Sequence, residues 1–238
     1  MRKVVHPSHT RGSANFGWLE ANYSFSFANF FNPERIQFGM LRVLNDDVIA
    51  GGMGFGKHPH ENMEIITIPL EGALQHKDSM GNEGVIHAGE IQVMSAGTGV
   101  EHSEFNASKS EKANTLQIWV FAEKDGVQPR YDQRKFNFEN HKNELVTVVS
   151  PKDDNDGDAV WVHQQTYFNL GEIEAGKKID YKLHNNSHGA YIFLISGEIE
   201  VADETLKKRD AIGLWETEKI DISILKDAKI LLIEVPMN

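Results

Sequence analysis

Short apolar runs cut by glycines and Asn/Asp turns set the pattern of the chain. Residues 36–44 (IQFGMLRVL) read as a strand that ends at Asn45-Asp46-Asp47, and residues 48–50 stop at Gly51-Gly52. Residues 63–70 (MEIITIPL) read as a strand closed by Glu71-Gly72. Residues 73–77 follow, then a turn through Ser79-Met80-Gly81-Asn82. Residues 85–87, 91–94 and 116–121 complete the first block, with Ser95-Ala96-Gly97-Thr98-Gly99 as a tight turn. The second half repeats the rhythm at 146–150, 160–164, 166–170, 179–183, 191–196, 198–201, 211–214, 220–225 and 230–235.

Turn signals roughly every 8–12 residues, with β-branched and aromatic residues between them, predict an all-β sandwich or barrel. Nothing before residue 120 holds a helical apolar period, and the strand–helix alternation of a doubly wound fold is missing. The two halves resemble each other: LEGALQH at 70–76 parallels ISGEIEV at 195–201, which points to a duplicated β-domain. The expected division is an N-terminal domain over 1–125 and a C-terminal domain over 140–238, with polar residues 123–143 as connector and room for one short helical turn there. Gly51-Gly52-Met53-Gly54-Phe55-Gly56 lacks the Lys-Ser/Thr of a phosphate loop and the helix of a dinucleotide fingerprint. Residues 151–158 (PKDDNDGD) have the composition of a calcium loop but not its Gly-to-Glu spacing, and read as an exposed acidic loop.

Composition narrows the classes. At 238 residues the chain is long enough for a substantial core. The balance of 24 basic and 35 acidic residues, net -11, argues against a nucleic-acid or anionic-membrane partner. Lys207-Lys208-Arg209, the one run of three basic residues, reads as a solvated turn. The absence of cysteine excludes disulfides, thiolate metal sites and cysteine nucleophiles. No apolar segment is long enough for a membrane span. The opening MRKVVHPSHTRGSANFGW has no apolar signal region, so a cytoplasmic location is expected.

Chemistry concentrates in four residues. His58-Pro59-His60 places two imidazoles at i and i+2, the same face of an extended strand. Pro59 donates no ladder N–H, so that strand is expected at a sheet edge. His102-Ser103-Glu104 repeats the spacing after the glycines at 97 and 99. If both strands line one barrel interior, three imidazoles and a carboxylate converge, a donor set for Fe, Mn, Co, Ni, Cu or Zn. Glu64, at i+4 from His60, is a rival carboxylate ligand on an unbroken strand, or a group that orients a ligand imidazole. His76 and His87 lie on strands near the site. His184 and His188, in the loop-like LHNNSHG, read as polar loop residues rather than a metal pair.

Two runs resemble the motifs of the cupin superfamily: Gly52, His58, His60, Glu64 and Gly72 match the first, and Gly89, Ser95, Gly97 and His102 the second, distorted. Residues 58–104, from HPHENMEIITIPLEG to VEHSE, are similar to the signature region of pirin-like proteins, as is the aromatic and glycine-containing start. The resemblance implies a bicupin, two antiparallel double-stranded β-helix (jelly-roll) barrels, with the metal held in the first by His58, His60, His102 and Glu104. It implies Fe2+ first, with Zn2+, Mn2+, Co2+, Ni2+ or Cu2+ as substitutes, and a quercetin 2,3-dioxygenase acting on a small aromatic molecule and O2. Glu104 is then both ligand and proton acceptor, and Phe55, Met53 and Met94 are the expected lining of a slot for the substrate ring. The alternative it implies is a non-catalytic metal-binding regulator with a protein partner. Pairing of edges between the two barrels would allow a monomer. Two departures stand out: Glu61-Asn62 replaces the Arg-Gly that follows the second histidine in many relatives, and Glu101 precedes His102 where an apolar residue is usual.

Overall fold

The runs rich in Ile, Val, Leu and Phe become strands, because branched and aromatic side chains pack well on a pleated surface. The computed structural model of the chain describes residues 1–155 and 157–238. Asp156, inside the acidic 151–158 loop, lies outside the described residues. Apart from strands, the described residues form three short 3-10 turns, at Ser8–Thr10, Phe138–His141 and Lys152–Asp154. No helix among them is long and apolar enough to cross a membrane.

The chain builds the expected pair of jelly-roll barrels. In the first, a seven-stranded sheet runs Arg130–Lys135, Glu90–Ser95, Met63–Glu71, Ala113–Phe121, Leu41–Ile49, Leu19–Tyr23, Gly12–Asn15. A four-stranded sheet, ordered Gly54–His60, Val100–Asn106, Ala73–Asp78, Glu83–His87, packs across from it. The second barrel is one curled nine-stranded sheet dominated by His188–Val201 and Lys219–Pro236, whose mutual register shifts three times. Such bulges bend a strand, so one long strand serves both layers. The barrels exchange elements: Arg2–His6 leaves the first half to pair with Ala211–Trp215.

Face alternation explains where the cores sit. On the seven-stranded sheet, Leu44, Ile66, Val93 and Ile118 point away from their own barrel and merge with Val149, Phe168, Phe193 and Ile233 of the second sheet in one apolar cluster. The largest core is therefore the seam between barrels. The second barrel's interior is filled by aliphatic residues such as Ile192, Leu194, Ile212 and Leu232. The first barrel's interior has only small apolar clusters, around Leu19 and Ile49 and around Ile65 and Met94. Several of the remaining inward positions are polar, among them Asn45, Asp47, Thr67, His102, Glu104 and Gln117, and a cavity opens beside them.

Three expectations need correction. Asn45-Asp46-Asp47 does not end a strand; it lies in the middle of Leu41–Ile49, while residues 36–40 form turns. The 123–143 connector contains the strand Arg130–Lys135, paired with Glu90–Ser95, besides the helical turn Phe138–His141. Arg209 is not a solvated turn residue: its Nε lies 3.0 Å from Asp46 Oδ2, and it donates to Asn114 Oδ1 at 2.9 Å and the Ile195 carbonyl at 3.1 Å. With Arg11, 3.2 Å from the same Asp46 oxygen, it forms a half-buried charged clasp across the seam.

Candidate metal centre

The strand Gly54–His60 is an edge of the four-stranded sheet, as Pro59 requires. Its neighbour Val100–Asn106 places His102 directly opposite His58 and, on its other side, Glu104 opposite His76. Close approach at this edge needs Gly54, where a Cβ would collide with the Glu104 carbonyl. The turn entering Val100–Asn106 needs Gly97, whose φ of +48° and packing against the Val127 carbonyl leave no space for a side chain.

The three histidines converge. Ring centroids lie 4.4 Å apart for His58 and His102, and 4.9 Å for His60 with each of the other two. One ring nitrogen from each falls within 4.8 Å of the others, a spacing that can hold one ion. Glu104 joins a second such set, with His102 and His76. Its Oε1 accepts from Thr67 Oγ1 at 3.1 Å and its Oε2 from Gln117 Nε2 at 2.7 Å. These donors fix the carboxylate between the sheets.

A buried imidazole normally has partners, and His102 has none: it is 2 % exposed with neither Nδ1 nor Nε2 hydrogen-bonded. Burial, reinforced by the neighbouring His58, His60 and His76, lowers its pKa to about 2, so it is neutral with a lone pair free. Burial and then His58 lower His60 to about 4. His58 Nδ1 lies 2.8 Å from the Gly56 carbonyl, which can only accept; the ring proton is therefore on Nδ1, leaving Nε2 as the available donor atom. Three converging imidazoles beside a hydrogen-bonded carboxylate fit a borderline divalent cation, which would give His102 the partner the protein withholds.

The rival Glu64 points elsewhere. The strand breaks at Glu61-Asn62, where Asn62 has φ +49°, and Met63–Glu71 restarts with Glu64 on the seam face. There Ser95 Oγ donates to its Oε2 at 2.7 Å, and burial outweighs that bond to push the carboxyl up to about 7. His76 is fully buried, 3.2 Å from Asp78 through Nε2, and its ring lies 4.8 Å from that of Tyr131. His87 is exposed. Glu101 pairs with Lys57, so the extra acid beside His102 is neutralised. His184 and His188 are not free loop residues: both Nδ1 atoms bond the buried Glu234, at 2.9 and 2.7 Å.

Above the histidines opens a cavity of about 440 Å³ walled by Trp18, Tyr23, Phe27, Phe55 and Trp119. The Trp119 ring meets His60 edge-on at 4.9 Å, and Trp18 meets Phe55 at 5.4 Å. Of the anticipated ring-slot residues only Phe55 lines it; Met53 is on the surface and Met94 is in the core beneath. Sequence reading missed Thr67, Gln117 and Tyr131. The first two carried a signal, since a lone polar residue inside MEIITIPL or LQIWVF must find a buried partner.

Titration of these groups predicts the pH response of the metal-free protein. Burial raises Asp47 to about 8, with Asp46 and Glu104 adding to it, and Glu104 to about 7 against its two hydrogen bonds; Glu64 is also near 7. Raised carboxyls cost the folded state increasingly as pH rises from their unfolded values to the folded ones. Lowered histidines do the reverse below pH 6.5: His60, His102 and His6, the last held near 4 by burial and Arg35. Between about pH 4.5 and 6.5 the two sets oppose each other; above 6.5 only the carboxyls act. Chelator-treated protein is expected to lose on the order of 2 kcal/mol in urea unfolding between pH 6.5 and 8. Constant or rising stability over that interval would contradict the assigned burial costs.

Known proteins share this arrangement of two barrels. Residues 4–120 match the Pirin family and residues 147–235 the quercetinase C-terminal cupin domain. A quercetin 2,3-dioxygenase of Escherichia coli (strain K12) is 39% identical over 232 residues, 98% of this chain and 98% of that protein. A pirin-like protein of Caulobacter vibrioides is 36% identical over 96% of this chain and 97% of its own length. The structure of the bacterial pirin YhhW from Escherichia coli in complex with nickel(II) superimposes with a TM-score of 0.92 at 37% identity, covering 99% of each chain. Similarity of this extent along the whole length, on one fold, makes the chain a member of the pirin family of cupins.

Proposed function

We propose that the protein is a metal-dependent dioxygenase that opens the ring of a flavonol such as quercetin, with the first barrel, closed by Arg130–Lys135, as the catalytic unit and the second as its packed support. In this reading His58, His60, His102 and Glu104 hold one divalent ion. Fe2+ suits the donor set, as do Ni2+, Co2+, Mn2+, Cu2+ and Zn2+, and the nickel(II) complex of a relative supports a divalent ion here. The observation that carries the reading is the buried, unpartnered His102 between two other imidazoles at the base of an aromatic-walled cavity.

When bound, the ion supplies Lewis acidity for the substrate's oxygens and a meeting point with O2. The protein's residues do the rest. The aromatic walls exclude water and confine a flat ring system, and about 440 Å³ lies in the range of small-molecule sites. The Glu104 carboxylate, fixed between the sheets, is the group placed to take the proton of a substrate hydroxyl and return it. Thr67 and Gln117 keep that carboxylate aimed as it gains and loses the proton.

Metal-loaded protein under air is expected to consume O2 in step with quercetin, with isotopically labelled O2 carried into the ring-opened product. Loaded protein that takes up no O2 with any member of a flavonol panel would overturn the assignment in favour of a non-catalytic metal-binding role.

A further inference from the structure

The misread Asn45-Asp46-Asp47 run carries a feature that metal binding does not explain. Asn45 and Asp47 line the cavity from the same face of Leu41–Ile49. The register places Thr115 opposite Asp47 and Gln117 opposite Asn45. Gln117 is committed to Glu104. Its neighbours are not committed: Asn45 Oδ1, Asp47 Oδ1 and Thr115 Oγ1 are buried with no hydrogen-bond partner, in residues 4 %, 4 % and 2 % exposed. The strand does not lack partners in general. On its other face Asp46 is fully engaged by Arg11, Arg209 and Asn114. Unmatched buried polar groups are rare in native interiors, and three side by side on one sheet, two of them lining the cavity, mark a place where something else supplies the match.

We propose that Asp47, with Asn45 and Thr115, is a hydroxyl-recognition subsite that selects aromatic substrates carrying a second hydroxyl group away from the metal-binding oxygens. The inference rests on the flavonol reading and sharpens it. Asp47 lies one strand over and two residues along from Gln117, about 8 Å by strand geometry. That is the span of a fused two-ring system, and Trp18, Tyr23, Phe27, Phe55 and Trp119 line the same cavity. Asn45 Oδ1 can accept a hydroxyl proton, while the Asp47 carboxyl and Thr115 hydroxyl can meet the hydroxyl oxygen or its proton. A site built to bond a hydroxyl rejects the analogue that lacks it, because its own groups are then left unpaired. Asp47 acts here as a specificity residue, remote from the proton transfer assigned to Glu104.

The test is calorimetric binding of quercetin and of 3-hydroxyflavone, which keeps the 3-hydroxyl and 4-carbonyl and lacks every other hydroxyl, to the full chain with and without metal. Wild type is expected to bind quercetin at least about tenfold more tightly than 3-hydroxyflavone. Asp47→Val should bring that ratio close to one by weakening quercetin alone. Asp47→Asn, which keeps a donor and an acceptor, should stay within about threefold of wild type. Asn45→Leu should narrow the ratio as a second, independent variant. The melting temperature of Asp47→Val should not fall, since the substitution removes an unpaired buried group. The inference is overturned if wild type does not distinguish the two flavonols. It is equally overturned if Asp47→Val weakens both alike with a lower melting temperature, the mark of a structural role. Wild type that binds with this selectivity but consumes no O2 would sink the dioxygenase reading and leave the subsite standing; wild type that binds neither flavonol would sink both.

Discussion

Replacing His102 by alanine is expected to reduce bound divalent metal from stoichiometric to trace and to abolish O2-coupled turnover, while changing the stability of the metal-free protein by less than about 1 kcal/mol. The two halves of this expectation come from one fact. Each unmatched buried polar atom costs about 1–3 kcal/mol, and His102 buries two ring nitrogens without partners. Deleting the ring relieves that cost and loses packing contacts, and the two effects are similar in size. An ordinary buried ring such as Phe168 has no such offset, and its truncation costs about 3–5 kcal/mol. With metal the balance reverses. Removal of a group that merely orients a metal ligand lowers affinity by about 10–100-fold, and removal of the central imidazole should exceed that. Metal analysis after dialysis, paired with melts in chelator, checks both halves. Full metal occupancy in His102→Ala would refute the proposed centre. A large loss of stability in the chelated protein would show that the ring is held by something other than an ion.

The convergence of His58, His60 and His102 is legible in the sequence because its spacing is local. A His-x-His pair on an edge strand marked by Pro59, and a second pair entered through Gly97 and Gly99, need only the two-residue period of a strand. Glu64 enters as a rival by the same rule, since i+4 keeps one face only if the strand is unbroken, and the left-handed Asn62 breaks it. The central strand Leu41–Ile49 was misread because it is polar on both faces. Asn45 and Asp47 serve the cavity while Asp46 serves the seam with Arg11 and Arg209, so the alternation that betrays a strand is erased and the run looks like a turn. The strand Arg130–Lys135 was hidden likewise: Arg130 faces Trp161 across the seam and Tyr131 faces His76, and neither pattern is apolar. Such positions are specified by partners distant in the chain, in the cavity or across the seam, and a reading confined to local windows has no access to them.

The second barrel offers the other large effect, and it concerns folding rather than chemistry. Glu234→Ala is expected to destabilise the protein by about 3–5 kcal/mol at pH 7, with metal content unchanged. A lone acid inside ILLIEVP was the visible signal that something must answer it. Four donors do: the His184 backbone N–H at 2.9 Å, His184 Nδ1 at 2.9 Å, His188 Nδ1 at 2.7 Å and the Tyr181 hydroxyl at 2.7 Å. The His184 ring in turn stacks on Tyr167 at 3.5 Å, and Tyr167 donates to Asp154 at 2.6 Å. Burial alone would raise the Glu234 carboxyl; the bonds from His184, His188 and Tyr181 outweigh it and hold the group at about 2. A lowered carboxyl stabilises the folded state above its unfolded value near 4.5, and that share is lost as pH falls toward 2. The shift corresponds to about 3 kcal/mol. The gap between wild type and Glu234→Ala in urea unfolding should therefore narrow from pH 7 to pH 3, and Glu234→Gln, which keeps one acceptor oxygen, should fall between them. A gap of equal size at both pH values would mean that the network is held by the shape of the side chain and not by its charge.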